Sequence, residues 1–260
     1  MLGAIWQDSK LMSIMAGFFS AMAFALLGYA GLQWLIHRPL FELQKVELTG
    51  EVDRINLVSF RANVLPEVQG SFFSVNLSDV REQVEDQPWV RKAVIQRMWP
   101  NGLRIRIQSQ KPLAYWGDNL LINTYGEVFS ANPAEVGDNV LQATLNGPPG
   151  SELLVAKMYV NASKVLRKLG LQLKDVNLSD RYGWSFKTES GLNIELGREQ
   201  ENFTINQKLD RLVAIYPKIK EQLMQTVDSI DLRYPRGVAV KGERLAGANA
   251  KPVALKTSLN

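Results

Sequence analysis

The side chains able to make or break bonds are few, and their spacing is poor for catalysis. His37 is the only histidine and there is no cysteine. A Ser–His–Asp triad needs an imidazole beside its nucleophile, and His37 borders a long apolar run. A zinc centre draws on His and Cys ligands, so the soluble part has no His/Cys metal site. Without thiols there is neither a disulfide nor thiolate chemistry. Gly147-Pro148-Pro149-Gly150 is turn material, not the glycine-rich cradle that binds phosphate. Carboxylates remain. Asp79, Glu82 and Glu85 sit at helical spacing, and a pair of acids can hydrolyse a glycan. A membrane-anchored cell-wall hydrolase is therefore the enzyme-class alternative. The same spacing describes the solvated face of an amphipathic helix, which is the reading adopted. No catalytic, cofactor-binding or metal-binding residue is assigned.

The elements around these residues are more telling. Leu11 to Ile36 contains no Asp, Glu, Lys, Arg or His. A helix of that length spans roughly 39 Å at about 1.5 Å per residue, against a hydrocarbon core of about 30 Å. A cleavable signal is the rival, with Ala21-Met22-Ala23 or Ala23-Phe24-Ala25 as cleavage sites. The apolar run continues past both, through Leu26, Leu27, Leu32 and Trp34 to Ile36, which favours an uncleaved anchor. Tyr29 and Trp34 suit the outer interface, and His37 and Arg38 stop the run. Lys10 on one side and Arg38 with Lys45 on the other are too few to orient the helix by charge. A ten-residue tail (1–10) favours tail-inside, with the bulk exported. Gly17, Ala21 and Ala25 recur every four residues, a spacing that admits a partner helix, although membrane helices are rich in small residues anyway.

Net charge is +4, with Lys and Arg scattered. A nucleic-acid binder would cluster them on one element. Beyond the anchor, Phe41 to Leu48 predicts a strand ended by Thr49-Gly50. Leu57, Phe60, Val64 and Leu65 predict a helical stripe broken at Pro66 and Gly70. A second helix is capped by Asn76 or Ser78 and buries Leu77, Val80 and Val84. A hairpin follows. Val90, Val94 and Met98 share a strand face with Lys92 and Gln96, a mixed pattern, and Pro100-Asn101-Gly102 makes the turn. Leu103, Ile105 and Ile107 alternate cleanly with Arg104, Arg106 and Gln108. The order is strand, helix, helix, strand, strand.

From Leu113 the strands shorten. A helix from about Ser151 to Leu169 has the stripe Leu154, Met158, Ala162, Val165 and Leu169, stopped by Gly170. Strands are expected near Leu171 to Leu178, Gly183 to Thr188 and Leu192 to Leu196. Ile205, Leu209, Leu212, Tyr216 and Ile219 mark another helix, which Pro217 should kink or end. Ile230 and Leu232, then Val238 and Val240, make two last strands. After Gly242 the tail has too little apolar surface to order itself. The fold class is α+β, with segments 1–10 (cytoplasmic tail), 11–36 (membrane helix), 41–112, 113–241 and 242–260 (disordered tail).

Pro88-Trp89-Val90 through Arg97-Met98-Trp99-Pro100, Leu103 to Ile107, and Pro112-Leu113-Ala114 look like the end of a POTRA domain. Downstream come Leu120 to Phe129 with Tyr125-Gly126, Asn193 to Arg198, Leu209 to Pro217, Asp231-Leu232-Arg233-Tyr234, and Gly237 to Val240. Their order resembles the FtsQ/DivIB family of bacterial cell-division proteins over roughly residues 10–241. The resemblance implies a POTRA domain over 41–112 and a mixed β domain with a curved sheet over 113–241. It also implies a single-pass inner-membrane scaffold with its bulk in the periplasm, at the division septum, and no enzymatic activity or cofactor. The implied partners are FtsB and FtsL at the β domain, with other division proteins at the POTRA domain and membrane helix. An outer-membrane assembly or secretion component also uses POTRA domains, but repeated POTRAs or a β-barrel are missing.

The last strand precedes the polar tail, so its outer edge has no obvious cover. An uncovered edge presents unpaired N–H and C=O groups that an extended partner can pair with. By the family pattern the partner-binding residues are Arg198, Arg233, Tyr234, Gly237, Val238, Ala239 and Val240. Tyr234 is an aromatic anchor or ordinary core. Arg198 meets an acidic partner side chain or only caps a neighbouring helix. Gly242 stands where relatives often carry an aromatic residue, Arg236 replaces a small polar residue, Pro235 stiffens the lead-in turn, and Ser109 takes the place of a common acidic residue.

Overall fold

The computed structural model describes residues 9–36, 41–68, 70–136, 141–222 and 226–243. His37 and Arg38, and the tail beyond residue 243, lie outside the described residues. Helix α1 (Ser9–Ile36) is long and apolar enough to cross a membrane, and among the described residues nothing buries its span. The chain divides after Ser109 into two compact units, α1 falling in the first.

The first unit is a three-stranded sheet under two helices, and the α+β reading holds. Strands β1 (Lys45–Gly50), β2 (Val90–Met98) and β3 (Gly102–Ser109) lie in the order β1-β3-β2, with β1 parallel and β2 antiparallel to β3. Helices α2 (Leu57–Val64) and α3 (Leu77–Glu85) connect β1 to β2. Asn56 and Asn76 cap them by accepting backbone N–H bonds in the first turn, as Asx side chains do at helix starts. Leu103, Ile105 and Ile107 form the core with Phe60, Val64, Val80 and Val84.

Three details differ from the periodicity. The first strand starts at Lys45, not Phe41, because Phe41 leaves the ladder for an aromatic cluster with Phe73 and Trp99. Leu57 and Leu65 are exposed. They stand at the two ends of an eight-residue helix, beyond the sheet that covers its middle. In β2 the buried residues are Val90, Ala93 and Ile95, and Val94 faces out. A register shift between Val90 and Lys92 inserts one residue and reverses the parity downstream, which is the physical origin of the mixed pattern. Glu85 is not merely solvated, since its carboxylate accepts the Ala93 N–H at 2.8 Å beside that bulge.

The second unit is one nine-stranded sheet. Its strands are β4 (Pro112–Trp116), β5 (Leu120–Asn123), β6 (Val128–Phe129), β7 (Thr144–Asn146), β8 (Leu173–Leu178), β9 (Trp184–Thr188), β10 (Asn193–Gly197), β11 (Ser229–Asp231) and β12 (Ala239–Lys241). They lie in the order β12-β11-β10-β9-β8-β7-β4-β5-β6. Helix α4 (Glu152–Arg167) is the crossover between the parallel strands β7 and β8, and α5 (Ile205–Gln222) the crossover between parallel β10 and β11. Parallel neighbours need such a connection.

The buried face of α4 is Val155, Ala156, Ala162 and Leu166, while Leu154 is exposed. Two apolar stripes of the same period overlap in this helix, and the sheet covers the one with the alanines, which permit closer approach. Proline 217 neither ends nor breaks α5, which continues to Gln222. Its ring is exposed, so water can serve the carbonyl it orphans, and Ile219 beyond it is fully buried and holds the last turn. Ile205, Leu209 and Leu212 are buried as the stripe requires.

Ile105 is fully buried on the central strand of the first unit. We expect Ile105→Ala to cost about 2–5 kcal/mol through lost transfer energy and the cavity left behind, measured by urea unfolding.

Candidate functional site

A strand inside a sheet bonds through its backbone to both sides, and β12 has only β11 beside it. Which groups face outward follows from β11. Asn193 N–H donates to the Asp228 carbonyl and Leu232 N–H to the Glu195 carbonyl. The Asp228 carbonyl and the Leu232 amide thus face β10, with Ile230 between them, so Ser229 and Asp231 face β12. They pair with Lys241 and Ala239. Before the ladder begins, the Lys241 carbonyl also accepts the Asp228 N–H at 2.8 Å, and the Glu243 carbonyl accepts from Thr226 N–H at 3.3 Å, so the Lys241 carbonyl points to β11. Alternation leaves the Val240 N–H and C=O directed away from the sheet. Among the described residues no strand lies on that side.

Side chains follow the opposite parity. Val238 is 5% exposed and belongs to the core, and Val240 packs against the same core. The side chain of Val238 thus meets its own domain, and only its backbone is left for a partner. Ala239 and Lys241 face solvent. The ordered strand is shorter than the sequence suggested, starting at Ala239 rather than Gly237. A Cβ at Gly237 would meet no atom, so nothing in this chain explains the glycine there. Gly242 is different: a Cβ would collide with the Thr226 carbonyl. The residue that departs from the family pattern is the one that lets the chain pass its neighbour.

The lead-in to β12 borders an open cleft of about 690 Å³ at the end of β10, where Arg198, Arg233 and Tyr234 come together. Tyr234 is 60% exposed, which excludes the core reading. Arg233 is fixed by Asp231. Its Nε lies 3.0 Å from both carboxylate oxygens, its Nη2 donates at 2.7 Å, and its backbone N–H donates to Oδ1 at 3.0 Å. The guanidinium carbon lies 5.8 Å from the Tyr234 ring centre, within cation–π range. Arg211 on α5 donates to the Tyr234 carbonyl at 3.3 Å and stacks over Phe203 at 4.5 Å. Glu195 and Glu199 also line the cleft, with Arg181 as a further cation.

Arg198 leaves β10 through a bulge between Glu195 and Gly197, where Gly197 adopts φ +64°. In that left-handed region glycine carries no steric cost, and a Cβ would strike the Arg233 side chain. Lys208 holds the bulge from beneath. Its side chain is fully buried, and its Nζ donates to the Leu196 and Arg198 carbonyls, each at 2.7 Å. Burial lowers the Lys208 pKa from its ordinary value, with Glu199 and Asp231 acting in the opposite sense. Burial alone would raise Asp231. The hydrogen bonds from Arg233, with the charges of Arg233 and Lys208, outweigh it and hold the carboxyl below 3.8.

Lys208, Asp231 and Arg211 were missed by sequence reasoning. Lys208 had left a signal: it falls at i+3 from Ile205, inside the apolar stripe of α5, where a cation must find buried acceptors. Among the described residues no group of three or more His, Asp or Glu is placed to hold a metal ion.

Comparison with known proteins adds an independent line. Residues 41–110 match the family described as POTRA domain, FtsQ-type, and residues 114–233 match Cell division protein FtsQ/DivIB, C-terminal. The chain is 34% identical over 237 residues to the cell division protein FtsQ of Burkholderia pseudomallei, covering 91% of this chain and 94% of that one. It is 32% identical over 252 residues to the FtsQ protein of Bordetella pertussis, covering 91% and 92%. It is 31% identical over 245 residues to that of Nitrosospira multiformis, covering 92% and 100%.

Two predictions follow from the bulge and the ion pair. Lys208→Met keeps the apolar stem but leaves two carbonyls without a donor, and should cost about 2–4 kcal/mol in urea unfolding. Asp231 has a depressed folded-state pKa, so its stabilisation is complete above the unfolded value and is lost as pH falls through the folded one. The stability difference between the parent and Asp231→Asn should be constant above about pH 5 and shrink below about pH 4, followed by unfolding titrations at each pH.

Proposed function

This chain belongs to the FtsQ/DivIB family of cell division proteins, and we propose that it is a scaffold of the division machinery that captures FtsB, and through it FtsL, by strand addition at β12. The observation that carries the proposal is the outward-facing backbone of Val240 on a strand with one neighbour. An extended segment of a second protein pairs with those groups, continuing the sheet by one strand. Arg198 and Arg233 at the adjoining cleft receive acidic side chains of that segment, and the exposed Tyr234 ring packs against an apolar one. Charged groups at such a rim govern encounter rate and register more than total affinity.

The anchor accounts for the rest of the arrangement. Helix α1 spans the inner membrane with the N-terminus in the cytoplasm, and both folded units stand in the periplasm at the septum. The POTRA domain and α1 engage other division proteins. The molecule makes no bonds itself: its chemistry is backbone pairing between tethered chains.

Proline substitutions at neighbouring positions separate partner pairing from internal pairing. Proline is tolerated at an edge where its missing N–H faced outward. Val240→Pro should stay folded, with the unfolding midpoint lowered only by the loss of the half-buried valine, and lose at least tenfold in affinity for FtsB, measured by titration with the full chain in nanodiscs. Ala239→Pro removes a donor that faces β11 and should lower stability as well. Parent-level capture by folded Val240→Pro would sink strand addition at β12. Arg198→Glu should slow association with FtsB, and more so at low salt.

A further inference from the structure

A second exposed apolar group lies far from β12 in sequence, at one end of the POTRA sheet. Phe41, Phe72, Phe73 and Trp99 form a mutual cluster. Ring centres lie 5.2 Å apart for Phe41–Phe73 and Phe72–Phe73, and 5.5 Å apart for Phe41–Trp99 and Phe72–Trp99. Edge-on and tilted packing at these distances is favourable. The cluster is not a core: Trp99 is 69% exposed and Phe73 45%. Large rings on a soluble surface mark a contact.

The backbone holds the group rigidly. Phe72 N–H donates to the Phe41 carbonyl at 2.7 Å, and Gln44 N–H to the Asn101 carbonyl at 3.0 Å. Ser71 and Ser74 tie the Phe72-Phe73 turn through reciprocal backbone-to-hydroxyl bonds. Arg97 secures the following residue by donating to the Val75 carbonyl at 2.9 Å.

The occupant follows from the length of chain between the cluster and α1. The register Lys45↔Gly102 places the start of β1 beside the β2–β3 turn that carries Trp99. The chain therefore enters the domain at the aromatic end. Phe41 is five residues from Ile36, the last residue of α1, a reach of at most about 18 Å. With α1 in the bilayer, the rings lie within that distance of the headgroup layer in every molecule. Trp is the side chain most at home in that layer. Glu42 and Lys45 flank the cluster with opposite charges, and Arg97 beside it is engaged with the Val75 carbonyl, so the rings carry most of the attraction.

We propose that Trp99 and Phe73 insert into the headgroup region of the bilayer that holds α1, so that the POTRA domain rests on the membrane by its aromatic end. The inference relies on the membrane-spanning reading of α1. Trp99 and Phe73 then act as interfacial anchors that set the height of the domain above the lipid.

The absence of cysteine makes the test clean. Single nitroxide labels are placed at Ser20→Cys in α1, Asn101→Cys beside Trp99, and Asp53→Cys past the far end of β1, about 20 Å along the strand. The full chain is reconstituted in phosphatidylethanolamine–phosphatidylglycerol nanodiscs, and collision with oxygen and with a water-soluble nickel chelate is read by power saturation. The expected result is a nickel-shielded, oxygen-rich label at 20 and a fully nickel-accessible label at 53. At 101, nickel accessibility should be at least threefold below that at 53, with oxygen collision retained. Replacing Trp99 and Phe73 by Ala should raise nickel access at 101 to the level at 53. A label at 101 as nickel-accessible as that at 53, with 20 still shielded, would overturn the proposal while leaving the span intact. Shielding of 101 from both reagents would overturn it in favour of a protein contact. A nickel-accessible label at 20 would remove the membrane span itself.

Discussion

A peptide group buried or half-buried without a hydrogen-bond partner is costly, and a sheet meets that demand strand by strand until it reaches an edge. In this chain the demand is met inward at β12, where Ala239 and Lys241 pair with β11, and among the described residues no strand meets it outward at Val240. Most proteins blunt such edges with charge, bulges or cover. Here the exposed side chains on β12 are one alanine and one lysine, and Val240, like Val238 before it, packs on the core. A strand held this way is ordered in advance by its own domain, which lowers the entropic cost of receiving another.

Everything near the edge serves to keep it in place. The parallel pairing of β10 and β11 fixes where β12 hangs, and α5 spans the crossover between them. A cation buried under that crossover, Lys208, takes up the two carbonyls released by the bulge after β10. The bulge leaves Arg198 lining the same cleft as Arg233, and Asp231 holds Arg233 in turn. The cleft and the edge are thus one construction, in which a carboxylate and a buried ammonium satisfy polar groups that the irregular backbone would otherwise strand, and a glycine at positive φ lets the chain turn there.

How much of this was readable from residue order can be judged element by element. The stripes Ile205–Leu209–Leu212 and Leu103–Ile105–Ile107 were legible because period and burial coincide in a helix or strand covered on one side. The stripe of α4 was ambiguous because two faces have equivalent spacing, and only the position of the sheet chooses between them. The pattern of β2 was obscured by a single inserted residue that reverses all later positions. The aromatic residues of the candidate membrane contact are scattered over Phe41, Phe72, Phe73 and Trp99, and no local window joins them. The open edge was legible from a last strand before a polar tail, but not the parity of its backbone.

Order of residues alone determined the long apolar N-terminal segment, the α+β class, the lack of cysteine and of any histidine but His37, and the family. The first three rest on composition or on local periodicity, which the chain carries wherever it folds, and the family on a resemblance in the order of its motifs. Tertiary structure decided that Val240 faces outward while Val238 is core, that Tyr234 is exposed, and that Lys208 is buried beneath Arg198. It also brought four distant rings to the end of the sheet where the chain arrives. These are outcomes of register and crossover, and register is settled by strands pairing across long stretches of sequence, not by any residue and its neighbours in the chain.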